Sequence, residues 1–510
     1  MTPTLLSVRT LDSASGSDQR GGVPALEEVR RELAAALPAA ALIDDHARLR
    51  TYECDGLTGY RVVPGLVALP GTHDEVVAAV RSCHRNGVPY VARGAGTGLS
   101  GGALPVANGI VIGLSRMRKI LEVDTVNETA TVEPGVTNLA ISQAAAAHGL
   151  YYAPDPSSQQ VCTIGGNVAE NSGGAHCLKY GFTTHHVLAA DVVLPDGTAA
   201  RLGGDARARD DGPDLLGLFI GSEGTLGIAT RITVRLLRRP AAVRTLLADF
   251  GSVEEAGRAV SGIVAAGIVP AAVEMMDALA MRAAEAATGA GFTLDPARAA
   301  AALVVEVDGP PAEVEECFRR IVAVCETNAA TRVRVAADPE ERARIWRGRK
   351  AAFAAMGRIS PDYFVQDGVV PRARLAEVLA RIAELGEAAG LRVANVFHAG
   401  DGNLHPLVLY DASAGQSEAG EELSRRIAEL CVELGGSLSG EHGIGADKAC
   451  SMPRMFSETD LAVMARVRDA VDRDGLCNPG KVLPTPRLCG ERIGPYRAHV
   501  VEEAGLGERW

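Results

Sequence analysis

The chain has 510 residues, of which 47% are hydrophobic, and its formal net charge is −12 at pH 7. This length allows two or three domains, and the negative charge argues against a nucleic-acid partner. No run of about 18 apolar residues occurs, so no transmembrane segment is predicted. The ten cysteines include no C-x-x-C pair, which is typical of buried thiols in a reducing cytoplasm and not of iron–sulfur ligands.

The N-terminal part of the chain leads up to a glycine-rich loop. Residues 1–25 contain no apolar signal core and are predicted to be disordered. Helical patterns follow over 26–37 and 74–84. Residues 88–92 then have the composition of a short buried strand, and the loop 93–102 comes directly after it.

Five glycines stand in the nine positions 94–102 of this loop. Bare backbone of this kind lets successive N–H groups surround an anion such as a phosphate. The loop contains a G-x-G-x-x-G pattern at 96–101, but Pro105 and a strand-like 110–112 follow where a dinucleotide-binding fold requires a helix. The segment is therefore either a glycine-rich turn without a ligand or a pyrophosphate site of another fold.

Two further glycine-rich segments follow, at 163–174 and 221–228. In the stretch between the first loop and these two segments, a hairpin is predicted at 122–133 and a helix at 138–148. Each segment alone could be a ligand-free loop. Three of them, with strands between, suit one long ligand better.

The character of the chain changes after Pro240, where strands and helices alternate in a way that suggests an α+β domain. The predicted strands are 245–250, 302–307, 393–397 and 407–410, and the predicted helices are 253–266, 312–328, 342–356 and 374–389.

Three histidines lie in glycine-rich turns of this second half. His398 and His405 flank a Gly-Asp-Gly-Asn turn, and Glu441 and His442 lie between glycines. Two imidazoles and one carboxylate with an open position are a common catalytic metal arrangement. The alternative is that all of them are ordinary polar turn residues.

The glycine segments resemble the vanillyl-alcohol-oxidase-type, or PCMH-type, FAD-binding domain. The second half is similar to the FAD-linked 2-hydroxyacid dehydrogenases, and within them to the FAD-linked subunits of bacterial glycolate oxidases. The stretches that carry this resemblance are 70–72, 93–102, 134–136, 154–158, 163–174, 221–228, 346–350, 367–371, 398–405, 440–445 and 478–484.

The resemblance implies an α+β fold with several parts. These are a disordered N-terminus over 1–25, a PCMH-type FAD-binding domain over 26–240, a ferredoxin-like α+β substrate domain, or cap, over 241–470, a C-terminal helical segment over 471–485 that returns to the FAD domain, and a tail over 486–510.

The resemblance also implies how FAD is held. Relatives that bond FAD covalently often have a histidine in the first loop, and residues 93–102 include none, so FAD is expected to bind without a covalent link. The residues expected to contact it are Arg93, Gly94, Ala95, Gly96, Thr97, Gly98, Pro154, Asp155, Ser157, Ser158, Ile164, Gly165, Gly166, Asn167, Gly174, Gly224, Ile228 and Asn478.

In the same family, His398, His405 and Glu441 correspond to the ligands of a divalent metal, here expected to be Zn²⁺ or Mn²⁺. His442 corresponds to the general base and Arg349 to an arginine that binds the substrate carboxylate. A planar guanidinium suits a carboxylate, and a histidine beside a metal-bound hydroxyl can accept its proton. Arg349 could instead be a solvated helix arginine, because three other arginines lie close to it.

The resemblance finally suggests a small substrate. Relatives that act on dicarboxylic hydroxy acids have extra polar residues near these motifs, where this chain has Phe353, Val365 and Leu407. Glycolate or D-lactate, oxidised by hydride transfer to flavin N5, is therefore favoured. The alternatives are a D-2-hydroxyglutarate-type dehydrogenase, a metallohydrolase that has lost its flavin, and a non-catalytic scaffold subunit.

The chain has no haem-attachment or cluster-binding motif that could carry electrons away. By resemblance, its partners would be an iron–sulfur subunit and a second flavin-domain subunit. The expected location is the cytoplasm, with a peripheral position at the inner face of the membrane as a further option.

Overall fold

The structure, a computed structural model, describes residues 19–204, 212–292 and 299–484. The predicted disorder of residues 1–18 and the predicted tail at 486–510 lie outside these ranges. Residues 19–25, also expected to be disordered, belong to the first helix. That helix buries Val29 and Leu33 against the first sheet, which stabilises it as a whole.

The helices of the N-terminal part are α1 (Gln19–Ala36), α2 (His46–Leu49), α3 (His73–Asn86), α4 (Asn138–Ala145), α5 (Ile164–Glu170), α6 (Cys177–Tyr180) and α7 (Leu215–Phe219). Its strands are β1 (Leu42–Ile43), β2 (Leu66–Ala68), β3 (Tyr90–Arg93), β4 (Ile110–Gly113), β5 (Ile120–Asp124), β6 (Thr129–Val132), β7 (Leu150–Tyr151), β8 (Val187–Val193), β9 (Ala199–Gly203), β10 (Ile228–Arg235) and β11 (Leu237–Arg238).

Two larger sheets form this part, together with a small sheet in which β7 pairs with β11. One has the order β1-β2-β4-β3, with β2, β4 and β3 parallel, and the other has the order β5-β6-β10-β8-β9. Helix α3 begins where Thr72 accepts the N–H of Glu75 and ends at Gly87 in the left-handed conformation. The helix predicted over 74–84 lies within it. The glycine loop leaves the C-terminal end of β3.

The second glycine segment is partly helical. Helix α5 occupies Ile164–Glu170, and Thr163 caps it by accepting the N–H of Gly166. A Cβ on Gly165 would lie 2.7 Å from Cβ of Pro134, so only glycine lets this first turn pack so closely. The glycines therefore serve helix packing as well as a ligand-binding surface.

The helices of the C-terminal part are α8 (Val253–Ala265), α9 (Ala278–Thr288), α10 (Pro311–Thr327), α11 (Pro339–Ala355), α12 (Leu375–Ala389), α13 (Ser417–Glu433) and α14 (Glu458–Val471). Its strands are β12 (Ala242–Phe250), β13 (Ala272–Asp277), β14 (Ala301–Gly309), β15 (Ala330–Val335), β16 (Asp362–Val365), β17 (Gly368–Val369), β18 (Arg392–His398), β19 (Asn403–Leu404) and β20 (Pro406–Tyr410).

These strands form an antiparallel sheet with the order β15-β12-β14-β13-β18-β19-β17, and β20 joins β16 to β18. One core cluster packs α8, α10, α12 and α13 on one face, and another packs α9 and α11 on the opposite face. The predicted α+β architecture is confirmed. Within the described ranges, no helix is both long and apolar enough to span a membrane.

The chain then returns to its N-terminal part. Cys477 pairs with Tyr90 in a parallel bridge, and the backbone N–H of Asn478 donates to the carbonyl of Tyr90 at 2.8 Å. These contacts join the end of the described chain to β3, directly before the glycine loop.

Candidate active site

A cavity of about 380 Å³ lies beside the glycine loop. Residues from all three glycine segments line it, together with Lys350, Phe353, Glu441 and His442 of the C-terminal part. The cavity therefore connects the loop that suits a phosphate with the histidines that suit catalysis.

Glycines of all three segments leave parts of this cavity's wall as bare backbone. A Cβ on Gly94 would lie 2.4 Å from Oγ1 of Thr163, and one on Gly102 would lie 2.6 Å from Oε1 of Glu170. Gly96 has φ +70°, a conformation that other residues rarely adopt. Such a surface fits a nucleotide cofactor whose phosphates are bound by backbone amides.

Most of the residues predicted to contact FAD line this cavity. They are Arg93, Gly94, Ala95, Gly96, Thr97, Gly98, Ser157, Ser158, Gly165, Gly166, Asn167, Gly224 and Ile228.

Pro154, Asp155, Ile164, Gly174 and Asn478 are not among the lining residues that the structure describes. Ile164 lies in the hydrophobic core. The side-chain amide of Asn478 donates to the carbonyls of Gly102 at 2.9 Å and Glu223 at 2.6 Å, so it connects the first and third glycine segments.

A tight hairpin brings His398 and His405 together. His398 ends β18 and pairs with Asn403 of β19, and Gly402 allows the turn because its φ is +83°. The two imidazole rings lie 5.1 Å apart at an angle of 88°. The turn therefore places the two rings side by side.

Glu441 completes this group. Its Oε1 lies 3.1 Å from Nε2 of His398 and 3.1 Å from Nε2 of His405. Burial alone would lower the pKa of His398, but the carboxylates of Glu274 and Glu441 outweigh it and raise that pKa well above its usual value. The donor atoms of the three residues lie within 4.8 Å of one another, as metal ligands would.

His405 also belongs to a second group of possible metal donors, in which its partners are Asp367 and His442. The donor atoms of this group also lie within 4.8 Å of one another. Asp367 is fully buried, and its carboxylate accepts the backbone N–H groups of Gly440, Glu441 and His442 at 3.0, 3.2 and 2.8 Å. Asp367 thus holds the segment that carries Glu441 and His442. The sequence offered no signal for this role beyond the position of Asp367 in a similar stretch.

His442 lines the cavity and stacks on His405, with ring centroids 4.8 Å apart and planes 6° apart. Burial lowers the pKa of His442 to about 4, so the imidazole is neutral at neutral pH. Its Nδ1 is buried and makes no hydrogen bond to any residue that the structure describes. A neutral ring with an unpaired nitrogen can accept a proton.

Arg349 lies behind this group on α11 and is 2% exposed, so it is not the solvated helix arginine of the alternative interpretation. Its Nη2 is 2.5 Å from Oε2 of Glu274, and the other oxygen of Glu274 is 2.8 Å from Nδ1 of His398. Its Nε and Nη2 have no well-aligned acceptor among the described residues. Sequence reasoning missed Glu274, which lies 124 residues from His398.

A charged network joins the two parts of the chain next to the cavity. His176 contacts Asp155 at 3.0 Å and Glu306 at 3.2 Å, and Lys350 lies 3.4 Å from Asp155. Burial alone would lower the pKa of His176, but the two carboxylates outweigh it and raise the pKa to about 10. His176 is therefore an imidazolium that lies between Asp155 of the N-terminal part and Glu306 of the C-terminal part.

We expect this network to make the protein less stable at alkaline pH. Because the pKa of His176 rises from 6.5 to about 10 on folding, its contribution is complete below pH 6.5 and is lost as the pH approaches 10. The free energy of unfolding should fall by up to about 1.4 kcal/mol per pH unit in that window. His176→Gln should remove the part of this pH dependence that His176 contributes. The measurement is the melting temperature of variant and wild type at several pH values between 6.5 and 10, where the difference between the two proteins should change with pH. Parallel curves for both proteins would contradict the expectation.

Comparisons with known proteins agree with this geometry. Residues 64–203 match the family described as "FAD binding domain", and residues 239–482 match "FAD linked oxidases, C-terminal domain". The fold resembles that of the 4-ethylphenol oxidase from Gulosibacter chungangensis, with a TM-score of 0.77, 19% identity, and coverage of 93% of this chain and 99% of that chain.

Two curated relatives are similar over most of their length. "Glycolate oxidase subunit GlcD" of Escherichia coli K12 is 52% identical over 91% of this chain and 92% of the relative. "D-lactate dehydrogenase" of Anaerostipes hadrus is 32% identical over 90% and 97%. Both the cofactor cavity and these similarities lead to one conclusion: the chain is an FAD-binding enzyme of the FAD-linked oxidoreductase family that includes these glycolate oxidase subunits and D-lactate dehydrogenases.

Proposed function

We propose that this enzyme oxidises a small 2-hydroxy acid, glycolate or D-lactate, to the 2-oxo acid. The observation that carries the proposal is that residues of all three glycine segments line the same cavity as Glu441 and His442. The names of the relatives support the same reaction. Bound FAD would supply the hydride acceptor, held without a covalent bond by the residues predicted above.

His442 is the proposed general base. Its ring is neutral, it faces the cavity, and the backbone N–H bond to Asp367 positions it. Oxidation removes the hydroxyl proton of the substrate, and an unpaired ring nitrogen of His442 accepts it.

His398, His405 and Glu441 are the proposed ligands of a divalent metal. Nε2 of His405 is buried without an aligned hydrogen-bond partner in the described part of the chain, and two imidazoles with one carboxylate fit Zn²⁺ or Mn²⁺. The metal would lower the pKa of the substrate hydroxyl. Glu274 would orient His398 through its Nδ1.

Arg349 is the proposed partner of the substrate carboxylate. Its Nε makes no hydrogen bond to any described residue and is available for a carboxylate, while Glu274 lies against Nη2 and holds the guanidinium in place. The ring of Phe353, which lines the cavity, lies 5.8 Å from the guanidinium carbon. A substrate whose carboxylate binds Arg349 would lie beside this apolar ring, which favours a small substituent on the substrate.

We expect glycolate or D-lactate to give a higher kcat/KM than D-2-hydroxyglutarate. The measurement is anaerobic bleaching of the flavin with each acid. Phe353→Ala should improve D-2-hydroxyglutarate relative to glycolate, because it removes the apolar ring from the cavity wall. Phe364→Ala serves as the control, since Phe364 stacks on Tyr410 and is not among the described lining residues. Wild-type preference for D-2-hydroxyglutarate would show that the pocket takes a dicarboxylate.

We further propose that electrons leave to an iron–sulfur subunit, in a complex with a second flavin-domain subunit in the cytoplasm at the inner face of the membrane. The relative that supports this is itself named a subunit, and the sequence has no C-x-x-C pair. The isolated enzyme should reduce dichlorophenolindophenol much faster than it forms peroxide. Equal rates of both would indicate a self-sufficient oxidase.

A further inference from the structure

A second cavity, of about 360 Å³, lies next to the first one. His442 lines the first cavity, whereas its neighbours Gly443 and Ile444 line the second. Gly221 and Met455, which are exposed, also line the second cavity. The second cavity therefore reaches the surface from directly behind the proposed base.

Only carboxylates connect the two cavities within the part of the chain that the structure describes. The residues that line both are Glu170, Glu223 and Glu441. Glu441 belongs to the proposed metal site. Glu170 and Glu223 have no role in the function proposed above.

Glu170 and Glu223 differ in their hydrogen bonds. The carboxylate of Glu223 accepts the backbone N–H groups of Ile444 at 2.7 Å and Gly445 at 2.6 Å. Oε2 of Glu170 is buried, and none of the described residues donates a hydrogen bond to it. Glu223 is thus positioned as the anion, and Glu170 has an oxygen that can carry or release a proton.

Charged neighbours surround both carboxyl groups. Asp55 and Lys448 face Glu170, and Lys448 and Lys481 face Glu223. Burial and the charge of Glu223 raise the pKa of Glu170 well above its usual value, while burial raises the pKa of Glu223 to about 6. A Cβ on Gly443 would lie 2.5 Å from Oε2 of Glu170 and 2.8 Å from Oε1 of Glu223, so the two carboxyl groups lie close together. Repulsion between two buried negative charges favours a state in which such a pair shares one proton.

We propose that the Glu170–Glu223 pair is the exit route of the substrate proton, from the first cavity to the solvent of the second. The inference rests on the proposed function and deepens it. Bound FAD would accept the hydride from the 2-hydroxy acid, and one proton passes from the substrate oxygen to His442. The N–H bond of His442 then breaks as the pair takes up that proton, and the pair releases one proton to water in the second cavity. His442 is neutral again, and no further electrons move.

The test is a single anaerobic turnover of the holoenzyme in weak buffer with a pH indicator. In wild type, proton release should keep pace with flavin bleaching. Glu170→Gln resembles the protonated acid in shape but cannot pass a proton on, so release should slow by at least about tenfold while first-turnover bleaching stays near the wild-type rate. Glu170→Asp should restore part of the rate, and the exposed Glu458→Gln is the matched control.

A readout without turnover separates this inference from the proposed function. Infrared difference spectra of wild type should contain the carbonyl band of a protonated carboxyl group at neutral pH, and Glu170→Gln should lose it. Unchanged proton release in Glu170→Gln, or the same band in both proteins, would overturn the proposal. If Glu170→Gln fails to bind FAD, Glu170→Asp and Glu223→Gln carry the same test. If no 2-hydroxy acid bleaches the wild type, the proposed function fails, and the infrared band still reports on the pair.

Discussion

Replacing His442 by glutamine is expected to lower kcat by roughly 10²–10⁴-fold, the range typical of the loss of a general base. Glutamine keeps a polar side chain of similar length but cannot accept the proton. The flavin spectrum should stay intact, because the residues expected to contact FAD do not include His442 and the glycines among them line the cavity with their backbone. Steady-state kinetics with glycolate and D-lactate, with flavin absorbance recorded on the same samples, measure both quantities.

The control for this variant is His148→Gln, because His148 is exposed in the N-terminal part. It makes the same chemical change without touching the cavity. A near-normal turnover of His442→Gln would assign the base to another group. A matched loss of flavin in His442→Gln would instead indicate a structural role for the ring.

Loss of the metal is expected to reduce kcat by more than about 10²-fold, since a Lewis acid on the reacting oxygen is worth several kcal/mol. His398→Gln removes one proposed ligand and should abolish metal binding as well as activity. Chelation of the wild type should give the same loss, and addition of Zn²⁺ or Mn²⁺ should reverse it. Elemental analysis and turnover are measured on the same preparations.

His398→Gln also distinguishes the two donor groups of the site. His398 belongs only to the set with His405 and Glu441, whereas Asp367 belongs only to the set with His405 and His442. Metal retained in His398→Gln but lost in Asp367→Asn would place the ion in the second set. Fully active wild type without metal would refute a metal role altogether. Glu458→Gln, at the exposed start of α14, is the control for an unrelated polar change.

Local features of the chain could be predicted where neighbouring residues decide them. The helix predicted over 74–84 lies within α3, and the Gly-Asp-Gly-Asn turn brings His398 and His405 together. Capping, turn geometry and alternation of apolar residues act over a few positions, so the sequence alone reveals them. The glycine loop after β3 was recognisable for the same reason.

Helix α5 illustrates an intermediate case. Its glycines suggested either a ligand-free loop or part of a ligand site, and glycine in general disfavours helices. The close contact of Gly165 with Pro134, 31 positions away by residue number, instead stabilises a helix there. Tertiary packing outweighed the local preference, as it does for many short helices.

What the sequence by itself determined is the set of chemical groups and their local geometry: three glycine segments, two histidines across one turn, and a carboxylate next to a third histidine. Only the tertiary structure decided which groups face each other. Glu274 reaches His398 and Arg349 from another strand, and Glu223 meets Glu170 between two cavities. The physical reason is that such contacts depend on how sheets and helices pack over long sequence separations, and no local propensity encodes that packing.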